Sequence, residues 1–455
     1  MNVAYVYPWD IVGDPSAPDR LAGLGVDAVA LAASYHSTRA ATPYHPSHRV
    51  LDVPYPAFYL PIRPSSWSRL VPAAPTWTAE DAYLQARDAL KAVGLQVHAW
   101  TVLTHNSHLG TANPDLVVRN AFGDPYPYAL CPAHEDVLAY CERLVQEILA
   151  VGEPDGLILE ACGPMGFGHQ SVHEKTSGAD WTPADADLLS LCFCSSCADR
   201  YPPTTRDRVR AAIDRALPSG QTTTSTSHTS TTHPHTTAGT TADTATGTAA
   251  DATAGTTADT TAGAAAHTTA SGTAGTWAGS TASGTPGTWA ENTAGGTPGT
   301  HLLTIDQALG ELTDEVRAIR VELSASLRRR LIAVARRTAP NVPITLHANP
   351  DPWAAGAFAA LPSGEPEADV LVANCWGDPA TDATRLAQLK NLSTAGQRIG
   401  AYVLALPPRP ADATVLADQL STYAKAGATE FHLYHAGLAS PQRLSALSEA
   451  LRHHT

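Results

Sequence analysis

Three cysteines, Cys192, Cys194 and Cys197, stand in a CxCxxC spacing that brings three thiolates within reach of one tetrahedral ion. A fourth ligand closes such a site in the manner of structural zinc. Cys131 is the first candidate for it, with Cys162 and His173 as alternatives. Seven cysteines are an odd number for so long a chain, and in a reducing compartment they read as metal binding, not as a disulfide framework. Between Cys131 and Cys192 lies the apolar run Gly-Leu-Ile-Leu at 156–159, which ends in Glu160. A carboxylate closing an apolar strand is costly to bury unless it is paired or used, so Glu160 is the leading catalytic candidate.

Other polar and aromatic groups recur at the carboxyl ends of short apolar runs. They are Trp9, Asp10, His36, Trp100, His105, His108, His347, Asn349, Asn374, Trp376, Tyr434 and His435. Any one of them alone reads as a structural group; together they read as a ligand-binding rim. Asp378, two residues past Trp376, is as suited to capping a helix as to catalysis. Glu430 lies at the opening end of its strand and is set aside. The runs that carry this rim fall at 2–8, 28–35, 96–103, 156–160, 342–349, 369–376, 399–405 and 430–435. Amphipathic helices are expected between most of them, at 78–94, 135–151, 304–337 (with one break), 382–396 and 413–427, and after the last at 441–452.

Eight apolar strands, mostly alternating with helices, predict an α/β fold that closes into a (β/α)8 TIM barrel, whose active sites sit at the carboxyl ends of the strands. A doubly wound sheet is the alternative, but no glycine-rich phosphate loop follows the first strand. The chain of 455 residues then divides into a first half-barrel at 1–220 with the cysteine cluster, an insertion at 221–300, and a second half-barrel at 301–455. The insertion is almost entirely Thr, Ala, Gly, Ser and His with a twelve-residue near-repeat (275–286, then 287–298). It has too little apolar surface to offset its ordering entropy and is expected to be disordered.

The net charge is −14, with pI near 5.7, so clustered cations for a nucleic-acid backbone or an anionic membrane are not expected. The first residues lack a basic stretch and a long apolar core, and no later run reaches 18 apolar residues. The expected setting is cytoplasmic.

Cys131-Pro132, a helix, a strand ending in Glu160 and then the CxCxxC resemble the catalytic half of family 42 glycoside hydrolases, the zinc-carrying β-galactosidases. They resemble equally the uncharacterised glycosyl-hydrolase-like barrels with this cysteine layout. The resemblance covers roughly 96–201. It implies a structural zinc on the four cysteines, a carbohydrate substrate, and Glu160 as general acid/base. Two departures stand out. The family has Asn before that Glu where this chain has Leu159, and the family's nucleophilic Glu on strand seven has no counterpart between Ile399 and Pro408.

A glycosidase here therefore draws its second carboxylate from elsewhere, with Asp378 or Asp10 as candidates. A pairing of strands four and six is similar to α-galactosidase-type barrels. A pair of this kind stands about 5 Å apart for retention of the anomeric configuration and roughly 6.5–9.5 Å apart for inversion. The alternatives are a non-catalytic sugar-binding barrel and a metal-dependent hydrolase using His98, His105, His108 or His347.

Overall fold

The computed structural model describes residues 1–168, 175–215, 304–361 and 368–454. The expected insertion at 221–300 and the alternative ligand His173 lie outside the described residues. Eight parallel strands form the frame: β1 (Asn2–Val6), β2 (Ala28–Tyr35), β3 (Gln96–Val102), β4 (Gly156–Glu160), β5 (Ile344–Asn349), β6 (Val370–Cys375), β7 (Arg398–Leu404) and β8 (Glu430–Tyr434). Each pairs with its chain neighbour, and β1 pairs with both β2 and β8, so the sheet closes into a (β/α)8-type barrel.

Closure follows from composition. All eight residues of β2 and all five of β4 are buried, as strands covered on both faces require. Side chains alternate across each strand, so positions two apart share a face. Two glycines make room inside. A Cβ on Gly156 would stand 2.7 Å from the ring of His98, and one on Gly400 would stand 3.0 Å from the ring of His432. The barrel interior therefore holds aromatic and imidazole rings where aliphatic layers would otherwise fill it.

The helix Glu135–Gly152 follows β3. It buries Val137, Leu138, Cys141, Leu144, Val145 and Ile148, a stripe of the i, i+3, i+4 kind. It packs beside the long helix Thr313–Thr338, and Arg330 of that helix reaches Glu135 at 2.7 Å. The break expected in this long helix falls at Gly310, which has a positive φ and separates Ile305–Leu309 from the longer piece. The helix expected at 78–94 is shorter, Ala82–Ala92 with Asp81 as N-cap. The one expected at 382–396 begins earlier, at Pro379, because Asp378 caps it. No helix stands between β5 and β6 among the described residues; a short strand, Ala359–Ala360, pairs with β5 there instead. Two loops carry hairpins that the sequence did not announce, Thr38–Ala41 with Val50–Val53 and Val117–Arg119 with Pro125–Leu130.

Candidate active site and metal centre

Glu160 ends β4 at the carboxyl mouth of the barrel and is almost fully buried. Its burial is offset by partners. Trp100 of β3 donates its indole N–H to Oε2 at 2.7 Å, and Nδ1 of His347, on β5, lies 3.2 Å from the same oxygen. Burial pushes the carboxyl up, but His347 and Trp100 outweigh it, with His36 adding to them, and the group is held below its ordinary value. Glu160 is a carboxylate in a desolvated place whose partners favour its charged form.

The next residue, Ala161, has φ of 53°, a left-handed conformation that a non-glycine residue adopts at a cost of roughly 1–3 kcal/mol. Its carbonyl accepts the Thr104 hydroxyl at 2.9 Å, and its amide donates to Ala357 at 2.8 Å, so the turn is held from both sides.

His347 is the first link in a buried polar column. Its Nε2 lies 3.0 Å from the Tyr5 hydroxyl, which lies 3.1 Å from Nδ1 of His432. Nε2 of His432 is 3.5 Å from Glu430, and Glu430 is ion-paired with Arg398 at the barrel's amino end. Glu430 thus has a structural role.

Above Glu160 opens a cavity of about 290 Å³. The sequence-predicted residues His36, Trp100, Glu160, Asn349, Asn374, Trp376 and Tyr434 line it. So do residues that the sequence reading missed: Tyr35, Asp187, Ser190, Phe358, Arg385 and Tyr402. Phe358 stacks on His347 at 4.5 Å, and Trp376 stacks on Tyr402 at 5.4 Å. Tyr402 projects from β7, the strand without a carboxylate. Burial and the Glu160 charge push its phenol well above the ordinary value.

The other predicted residues stand elsewhere. His347 lies behind Glu160. Trp9 stacks on Tyr7 at 4.4 Å, and His435 stacks on Tyr7 at 4.2 Å, both buried beneath the rim. Asp10 borders a separate small cavity with Arg20 and His45. His105 stacks on His36 at 4.3 Å, and His108 is exposed. Asp378 is also exposed. It accepts the amides of Ala380 and Thr381 at 3.1 Å each, the helix-capping alternative weighed above, and it does not line the cavity.

Asp187 carries no strand-end signal. It sits in the helix Pro183–Leu189 within the long connection after β4, not at a strand end.

The four cysteines come together. Cys131 Sγ lies 3.5 Å from Cys197, 3.7 Å from Cys194 and 3.8 Å from Cys192, all buried. Such a group can hold a metal ion, and among the described residues it is the cluster of His, Cys, Asp and Glu close enough to do so. The histidines that a metal-dependent hydrolase would need form no such group there. Cys162 is buried outside the cluster. The cluster brings the connection after β3 beside the one after β4. Tyr126 and Tyr128 of the hairpin reinforce that joint by donating to the carbonyls of Leu189 and Gly166, each at 2.9 Å. The cysteine cluster thus lies just past the segment that supplies Asp187 and Ser190 to the cavity wall. No helix among the described residues is long and apolar enough to cross a membrane.

No protein-family model and no curated protein matches this chain. Solved structures do. The glycoside hydrolase domain of PgaB (BpsB) from Bordetella bronchiseptica aligns with a TM-score of 0.51 at 13% identity, covering 98% of this chain and 97% of that one. The catalytic domain of beta-amylase from Paenibacillus polymyxa aligns with a TM-score of 0.50 at 12% identity, covering 99% and 97%. A beta-galactosidase from Marinomonas ef1 aligns at 0.49 and 8% identity, covering 98% of this chain and 58% of that one. The likeness is one of fold: the chain is a TIM barrel, as those domains are, and the cysteine cluster expected from the CxCxxC spacing is assembled within it.

Proposed function

We propose that the protein is a glycoside hydrolase that takes a carbohydrate into the cavity above Glu160. The observation that carries this reading is the state of Glu160. It is a desolvated carboxylate kept ionised by Trp100 and His347 on the floor of an aromatic-walled cavity at the carboxyl mouth of the barrel. Trp100, Trp376, Tyr402 and Phe358 offer flat apolar faces, while Asn349, Asn374 and Arg385 offer polar groups, the mixture a sugar ring demands. A buried anion beneath such a ring stabilises the positive charge that grows at the anomeric carbon as the glycosidic bond breaks.

Glu160→Gln keeps shape and removes the charge. Turnover of an aryl glycoside should fall roughly 10²–10⁴-fold while sugar binding, read by calorimetry, survives. Turnover unchanged by the substitution removes Glu160 from the chemistry.

A second reading, a sugar-binding barrel without catalysis, draws on β7, where Tyr402 stands and no carboxylate does. Saturable sugar binding by the parent with no turnover across a broad glycoside panel would favour it.

The metal proposed for the cysteine cluster is zinc. Four thiolates at ~2.3 Å from one ion at tetrahedral angles stand about 3.8 Å apart. The three separations from Cys131, 3.5 to 3.8 Å, fit that geometry without rearrangement. Four protein ligands leave no open position, so the ion's part is structural. The glycosidase chemistry needs none of it.

A further inference from the structure

A glycosidic bond needs a proton on its leaving oxygen as well as an anion near its anomeric carbon. Glu160 fills only the second need, because its partners hold it ionised. Two carboxyl groups line the cavity among the described residues, Glu160 and Asp187. We propose that Asp187, on the helix Pro183–Leu189, is the proton donor that works opposite Glu160 across this cavity. The proposal rests on the glycosidase reading of the site.

The placement is built, not incidental. Thr182 caps the helix, accepting the amide of Asp185 at 3.2 Å while Asp185 receives the Thr182 hydroxyl at 2.8 Å. Ser190, one residue past the helix, donates to the carbonyl of Ala186 at 2.7 Å and accepts the amide of Phe167 at 3.0 Å, which fixes the helix to the connection after β4. The cysteine cluster begins two residues beyond Ser190. Asp187 is therefore presented to the cavity from a helix capped at its start and tied to Phe167 at its end.

Its surroundings suit an acid. Burial first, then the negative charge of Asp351, push the Asp187 carboxyl up to about 7, against the pull of Arg320. Two carboxyl groups on one cavity with their affinities for protons driven apart is the arrangement that separates an acid from an anion. Arg320 is buried, and its two terminal nitrogens have no hydrogen-bond partner among the described residues. Its field favours the charge that Asp187 acquires once the proton has left.

The step balances. Protonated Asp187 gives its proton to the glycosidic oxygen as the bond to the anomeric carbon breaks, and the bonding pair leaves with the aglycone alcohol. Glu160 offsets the positive charge at that carbon. The oxygen of a water molecule then joins the carbon, and the water's proton returns to Asp187.

The test compares Asp187→Asn with the parent on two substrates of one sugar. One carries a strongly activated aryl leaving group that departs without a proton, and the other carries an alkyl leaving group that cannot. For the alkyl glycoside, kcat/KM should fall roughly 10²–10⁴-fold, and for the activated one about tenfold or less. The alkaline limb of the parent's pH profile, near 7, should vanish in the variant. Calorimetric binding of the free sugar, unchanged, shows that the variant is folded. Equal losses on both substrates, or an alkaline limb that persists, overturn the assignment of Asp187 while leaving the enzyme reading intact. A parent inactive on every glycoside overturns that reading and this proposal with it.

Discussion

Nδ1 of His347 stands 3.2 Å from Oε2 of Glu160, an imidazole on β5 facing a carboxylate on β4 at the floor of the cavity. Trp100 and His36 act on the same carboxylate in the same sense, but more weakly. The hydrogen bond to that oxygen comes from neutral Trp100, and Nε2 of the imidazole is spent on Tyr5. His347 is thus the foremost of the groups that hold down the proton affinity of Glu160, ahead of Trp100 and His36, and it does so from outside the cavity.

His347→Leu should raise that affinity, because burial then acts on Glu160 with less opposition. Activity that depends on ionised Glu160 is present above its folded pKa and lost as pH falls through it. The acid limb of kcat/KM should move to higher pH by roughly one unit or more, with the alkaline limb unmoved. An acid limb that stays in place would leave His347 as packing alone.

The cysteine centre yields a second expectation. Purified protein should contain about one zinc per chain, and Cys192→Ser should lose it. Because the cluster joins two long connections, its loss should lower the melting temperature by roughly 5–10 °C. It should also raise KM more than it lowers kcat, since the loosened segment bears part of the cavity wall. Loss of metal without loss of stability would mean that the joint is carried by Tyr126 and Tyr128.

How much of this was legible in the sequence follows from what local pattern can encode. Strand rhythm located all eight barrel strands, since burial on both faces writes an apolar run whatever the tertiary context. CxCxxC named three members of the cluster because their spacing is local, and Cys131 followed from barrel adjacency. Glu160 stood out because a charge closing an apolar run needs a reason. Asp187 gave no such signal: in a helix of mixed polarity it reads as a solvated face, and only the folding back of the connection after β4 places it over the barrel mouth. His347, Trp9 and His435 share the strand-end pattern of the rim, yet the first lies behind Glu160 and the others beneath the rim. Side-chain direction at the end of a strand depends on the twist of its neighbours, which no single segment records.

The tract at 225–298 provides a third expectation. The eight strands and their closing pairs are complete without it. Joining its flanks by a short linker changes loop-closure entropy only slowly with length. A protein lacking 225–298 should melt within a few degrees of the parent and keep its activity. A large drop in either would show that the tract contributes to the barrel.

Asp10 provides the last. Its side chain is buried beside Gly437, with Oδ2 accepting the Tyr7 amide at 2.8 Å and Oδ1 without a hydrogen-bond partner among the described residues. Burial pushes the carboxyl from 3.8 to about 7, opposed only in part by the Tyr7 amide and by Arg20. An acid whose folded pKa is raised stays protonated in the fold while the unfolded chain has already ionised. Between pH 4 and 7 the folded state binds the extra proton, so stability falls as pH rises through that window and stays low above it. The full span of this loss is of the order of 4 kcal/mol. Asp10→Asn mimics the neutral acid at every pH. Its stability relative to the parent should therefore climb from near equality at pH 4 to a gain of a few kcal/mol at pH 8, read from urea unfolding at both. His98, pushed down to about 4 by burial, shifts parent and variant alike, so the difference isolates Asp10. A gain equal at the two pH values would mean that Asp10 is not protonated in the fold, and that Arg20 compensates its charge more fully than the geometry suggests.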